Sequence, residues 1–85
     1  MKKLFTIQKV GIRIDYYALG EHRVKISGER STPNYKLNVW WWRNSVWVFI
    51  FDSVYDYEYG KTSKEDIESW FEENICRAVQ FIDGA

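Results

Sequence analysis

The chain has 85 residues, 46% of them hydrophobic and 19% aromatic, with twelve Lys or Arg balanced by twelve Asp or Glu. That is enough for one small domain whose large rings build a core unaided. The lone cysteine, Cys76, excludes an internal disulfide, and no apolar run approaches the roughly 20 residues of a membrane-spanning helix. The opening Met1-Lys2-Lys3-Leu4-Phe5 begins like a secretory leader, but Thr6, Gln8, Lys9 and Arg13 interrupt any apolar stretch behind it. A soluble, cytoplasmic protein with no membrane partner is expected.

A long first strand is expected over residues 3–18. In it Val10, Ile12, Ile14 and Tyr16 alternate with Gly11, Arg13, Asp15 and Tyr17, the period-two pattern of a half-buried strand. Gly11 allows a bulge or bend there. Leu19-Gly20-Glu21 turns the chain into a strand over 22–27, where Val24 and Ile26 alternate with polar residues, so the two form a hairpin. Gly28 to Asn34 has loop chemistry, with Pro33 barred from a central strand.

Strands over 35–42 and 45–51 then flank Arg43-Asn44. If these two residues make the turn, Trp42 lies opposite Ser45, Trp41 opposite Val46 and Trp40 opposite Trp47. One face carries Leu37, Val39, Trp41, Val46, Val48 and Ile50; the other carries Lys36, Asn38, Trp40, Trp42, Trp47, Phe49 and Phe51. A three-residue loop would instead gather Trp47, Phe49 and Phe51 with Leu37, Val39 and Trp41, because a slip of one residue exchanges the faces of a strand. The two-residue turn is preferred, since it leaves Trp41 as the lone ring on an aliphatic face. In either register, part of the aromatic run faces away from the core.

A further strand over 53–59, with Tyr55, Tyr57 and Tyr59 alternating, suits a sheet edge. Gly60 ends it, and Thr62 with Glu65 reads as a capping box opening a helix over 63–82. Ile67, Trp70, Phe71, Ile75, Ala78, Val79 and Ile82 form its apolar stripe, and Gly84 ends it. The expected fold class is therefore α+β: an antiparallel, twisted, meander-like sheet of four to five strands with one C-terminal amphipathic helix packed on one face. Trp41 belongs to the core beneath that helix, with Trp70 and Phe71. The second face stays open unless the first strand or the 28–34 loop folds over it.

Charge is unevenly spread. Residues 1–43 hold nine Lys or Arg against Asp15, Glu21 and Glu29, while residues 44–85 hold nine acids against Lys61, Lys64 and Arg77. Such a division reads either as a docking face for a charged partner or as two halves of one fold that attract each other.

Catalytic chemistry is thin. His22, the one histidine, sits beside a turn and reads as a solvated side chain; Cys76 lies just off the helix stripe and reads as a partly buried, inert thiol. The glycines are scattered rather than grouped as a phosphate loop. Asp52, Asp56 and Glu58 read as a solvated strand end. No catalytic residue, cofactor or metal site is assigned, and the chain is read as non-enzymatic.

Three binding readings remain. In the first, Trp40, Trp42, Trp47, Phe49 and Phe51, rimmed by Lys36 and Asn38, meet a protein partner, because large rings dominate interface hot spots. In the second, the same rings stack on single-stranded nucleic acid while Lys36, Arg43, Arg23 and Lys25 contact phosphates, although the acidic helix would repel it. In the third, the face pairs with itself in a homodimer serving as a structural or adaptor protein.

The segment Thr62-Ser63-Lys64-Glu65-Asp66-Ile67-Glu68-Ser69-Trp70-Phe71 resembles the helix opening of small phage-encoded anti-CRISPR proteins. That resemblance implies a non-enzymatic inhibitor from a phage or mobile element, occluding a surface of a host protein or nucleoprotein complex. Glu65, Asp66, Glu68, Glu72 and Glu73 would then contact a basic groove, although a solvated helix face is the competing account of them.

Overall fold

Gly11 adopts a φ of 76°, in the left-handed region that glycine alone enters freely, and with Val10 it makes a two-residue turn. The expected 3–18 strand is thereby two strands. In the computed structural model, which describes residues 2–30, 34–58 and 60–85, the chain forms β1 (Lys2–Lys9), β2 (Ile12–Leu19), β3 (His22–Arg30), β4 (Tyr35–Arg43), β5 (Val46–Tyr55) and α1 (Lys64–Asp83). The strands lie in sequence order in one open antiparallel sheet, and α1 packs across one side, here called the inner face. This is the α+β meander with a C-terminal helix that the sequence leads one to expect.

Several boundaries differ. Gly28, Glu29 and Arg30 continue β3 rather than opening a loop, because Gly28 lies under Phe71 where any side chain would collide. Of the expected 28–34 loop, residues 31–33 lie outside the described residues. The strands expected at 45–51 and 53–59 are the single strand β5, which ends at Tyr55; Tyr59 lies outside the described residues.

The β4–β5 turn is Asn44-Ser45, with φ of 51° and 63°. Positive φ at both central positions suits the right-handed twist of a hairpin, and Asn tolerates that conformation far better than Arg. Trp42 therefore faces Trp47, Trp41 faces Val48 and Trp40 faces Phe49. Relative to the expected register the pairing has moved by two residues, so each side chain keeps its face. Beyond Trp40 the pairing shifts, leaving Ile50 unpaired between Phe49 and Phe51. This bulge moves Phe51 to the inner face, where the Arg77 guanidinium lies 4.1 Å from its ring centroid.

On the inner face, Tyr17, Val24, Ile26, Leu37, Val39 and Trp41 meet Trp70, Phe71, Ala78 and Ile82 of α1. Trp41 is core as expected, but its ring neighbours are His22 at 5.3 Å and Phe81 at 6.4 Å. Trp70 and Phe71 pack at the other end of the sheet on Tyr35. The helix opens one residue later than the sequence indicated. Ser63 is the N-cap, accepting from the Asp66 amide at 3.1 Å, while Asp66 accepts from the Ser63 amide at 2.8 Å. Thr62 instead accepts from the Glu58 amide at 2.9 Å.

β2 inverts the expected alternation. Asp15 and Tyr17 are buried under the helix, and Ile12, Ile14 and Tyr16 point to the other side. A buried carboxylate is tolerable only when paired and hydrogen-bonded. Asp15 accepts from Thr6 at 2.7 Å, from Tyr17 at 3.0 Å and from two nitrogens of Arg13 at 3.1 and 2.8 Å. Arg13 passes on to Glu68 of α1 and lies 4.5 Å from the Phe71 ring centroid, stitching sheet to helix.

Candidate functional site

Because the polar network occupies the inner side of β2, the apolar residues of β1 and β2 are sent to the outer face, where they join the tryptophans. Strand pairing aligns Phe5, Tyr16, Lys25, Trp40 and Phe49 in one row across all five strands. Phe5 stacks on Tyr16 with centroids 4.5 Å apart, Tyr16 lies 6.0 Å from Trp47, and Trp47 lies 5.1 Å from Trp42. Trp40 meets Phe49 edge-on at 5.4 Å. The result is an aromatic belt running from one sheet edge to the other.

Turn geometry explains the tightness of the β4–β5 part. Residues flanking a two-residue turn form a hydrogen-bonded pair, so Arg43 with Val46 is bonded and the next pair, Trp42 with Trp47, is not. Trp40 with Phe49 is again non-bonded. Side chains approach more closely at such positions, which favours cross-strand ring contacts.

Lys25 sits inside the belt. Its ammonium lies 4.8 Å from the Trp47 centroid and 5.2 Å from that of Trp40, close enough for cation–π attraction. Burial among these rings lowers its pKa. Around the belt, Lys2, Lys9, Arg23 and Lys36 share the outer face, against the acids Glu29 and Asp52.

Trp40, Trp42, Trp47 and Phe49 are thus brought together as expected, and Trp42 and Phe49 remain 43% and 48% exposed. Lys36 shares their face but lies nearer the far end of the sheet, opposite Glu29 and Val54. Glu65, Asp66, Glu68, Glu72 and Glu73 lie on α1, across the sheet from the belt. Asp66 is spent in the helix cap and Glu68 on Arg13, whose bond holds the Glu68 carboxyl below the usual carboxylate range. Of the nine basic residues of the first half, Lys2, Lys9, Arg23, Lys25 and Lys36 lie on the outer face while Lys3, Arg13, Arg30 and Arg43 lie on the helix side, and among the described residues Arg13–Glu68 is the one ion pair joining sheet to helix.

Phe5 and Tyr16 were missed as site residues, while Lys25 entered only as a phosphate contact in the nucleic-acid reading. The alternation of Ile12, Ile14 and Tyr16 signalled an apolar face correctly, but nothing in it told which side the helix would cover.

Two clefts flank the helix. One of about 410 Å³ is lined by Arg13, Arg30, Tyr35, Tyr57, Ser63 and Lys64, and one of about 480 Å³ by Lys3, Tyr17, Glu68, Phe71 and Cys76. Cys76 is exposed rather than partly buried, and His22 packs on Trp41, away from both clefts. Among the described residues no three His, Cys, Asp or Glu side chains gather into a metal site, and no helix is long and apolar enough to cross a membrane. No family model, curated protein or solved structure matches the chain.

Proposed function

We propose that this protein is a non-catalytic binding module that lays the outer face of its sheet against a protein partner and thereby occludes part of that partner's surface. The carrying observation is the belt itself: Phe5, Tyr16, Trp47 and Trp42 in one chain of ring contacts and Trp40 on Phe49, the two groups joined by Lys25 of β3, with no described element over them. Contiguous exposed apolar surface of this kind marks interaction sites, and Trp and Tyr supply most hot-spot energy. The surrounding Lys2, Lys9, Arg23 and Lys36 suit a partner with an acidic rim. A partner seated there leaves Glu65, Glu72 and Glu73 of α1 untouched on the far side.

A protein surface fits the belt better than single-stranded nucleic acid does. Base stacking needs free ring faces, whereas Phe5 and Tyr16 cover each other and Lys25 lies over both Trp40 and Trp47. A single-stranded oligothymidylate is expected to leave the tryptophan fluorescence unchanged at low salt. Salt-sensitive quenching would replace the protein reading with the nucleic-acid one.

The partner reading is tested by affinity capture. Phe5→Ser with Trp42→Ser removes two exposed rings from separate strands. Each ring should weaken binding of the wild-type partner by about 2 kcal/mol, roughly 30-fold in Kd, with the helical circular dichroism intact. Glu72→Gln with Glu73→Gln should retain the partner. Loss through the helix variant and retention through the ring variant would refute the assignment.

A further inference from the structure

The two edges of the sheet are built differently. β1 carries Lys2, Lys3 and Lys9 along its free edge, the charged protection that edge strands commonly have. β5 reads Val46-Trp47-Val48-Phe49-Ile50-Phe51-Asp52-Ser53-Val54-Tyr55, with Asp52 its one charge and no proline. Of its exposed apolar residues, Val54 stands alone at the far end, while Val46, 55% exposed, and Val48, 40% exposed, lie together near the turn on the inner face, beside the exposed Phe81 that packs on Trp41. An unprotected, apolar strand edge is a template for another strand.

We propose that β5 is a self-association edge, its first half pairing antiparallel with the same segment of a second copy about a two-fold axis at Val48. Backbone alternation fixes this register. Val46 and Val48 bond to β4, so the N–H and C=O groups of Trp47 and Phe49 point to the free edge. With the axis at Val48, Trp47 of each copy lies opposite Phe49 of the other, giving about four interchain hydrogen bonds. The bulge at Ile50 ends the regular stretch, which confines the pairing to Val46–Ile50.

Charge selects the second copy as the occupant. The paired segment Val46–Ile50 carries no charge, so no like charges meet across the axis. An isologous pair also closes on itself, whereas β5 adding to β1 would propagate without end.

The two-fold runs perpendicular to the sheet, so both belts lie on one side and join into a single surface, with Val46, Val48 and Phe81 of both copies around the axis beneath. The dimer does not depend on what the outer face binds. Phe5 and Trp42, the rings removed to test partner binding, lie outside the paired segment.

Sedimentation equilibrium at about 100 µM, where mass action favours association, should give twice the chain mass. Val48→Lys should give the chain mass with an unchanged circular dichroism spectrum, and mixing it with Val48→Glu should restore the doubled mass. A monomeric wild type, or a Val48→Lys variant that stays dimeric, overturns the proposal. Should the charged variants fail to fold, Val48→Cys in a Cys76→Ser background decides. A non-bonded antiparallel pair sets Cα atoms about 4.5 Å apart, within disulfide reach. Copper phenanthroline should therefore link Val48→Cys chains and not Val54→Cys chains; the reverse result rejects the register.

Discussion

Asp15→Ala is expected to destabilise the protein by about 3–5 kcal/mol, the scale for breaking a buried, hydrogen-bonded ion pair, measured by urea denaturation. Its carboxylate is fully buried and accepts from Thr6, Tyr17 and Arg13. Removing it strips those donors of their acceptor and leaves Arg13 with Glu68 alone. Burial by itself would raise the Asp15 pKa, but the Arg13 and Thr6 hydrogen bonds, the Arg13 charge and the Tyr17 hydroxyl outweigh it and hold the carboxyl below its usual range. The same donation raises the Arg13 pKa against the opposing effect of burial.

A pH dependence follows. Asp15 and Glu68 both have folded pKa values below their unfolded ones. Their contribution is present above the unfolded value of about 4 and is lost as pH falls through the lower folded values. The melting temperature should therefore drop on acidification below about pH 4, and Asp15→Asn should flatten that drop. Parallel acid profiles for the two proteins would show that Asp15 does not carry it.

Phe71→Ala should cost about 3–5 kcal/mol, because the ring is fully buried at the centre of the helix–sheet contact, between Tyr35, Trp70 and the Arg13 guanidinium. The fit reaches into β3. A Cβ on Gly28 would lie 2.6 Å from the tip of the Phe71 ring and 3.0 Å from the Tyr35 ring. Gly28→Ala should thus cost about 1–3 kcal/mol by overpacking. Leucine lacks the colliding ring tip, so Gly28→Ala with Phe71→Leu should be less damaging than the two single changes added together. Strict additivity would mean that the residues do not touch.

These contacts also explain what could be read from the sequence. The helix stripe, the meander and the gathering of Trp40, Trp42, Trp47 and Phe49 all follow from period and turn spacing. The register error at Asn44-Ser45 left the faces intact because it moved the pairing by an even number. Phe51 changed sides because the Ile50 bulge has no signature in an unbroken apolar run. The inversion of β2 was hidden for a different reason. Ile12, Ile14 and Tyr16 look like core, and only the long-range partners Thr6 and Glu68 make Asp15 and Arg13 acceptable under the helix. The belt's β1–β2 half was missed with it. Gly28 looked like a loop residue because composition does not reveal that a ring 43 positions later needs its space.

The central claim is that the working surface is the outer sheet face rather than the acidic helix. Hydroxyl-radical footprinting of the protein alone and with its captured partner tests it most directly. Phe5, Trp42 and Phe49 should label strongly in the free protein and be protected in the complex, while labelling of Cys76 on α1 stays unchanged. Protection of Cys76 with continued labelling of Phe5 and Trp42 would contradict the account.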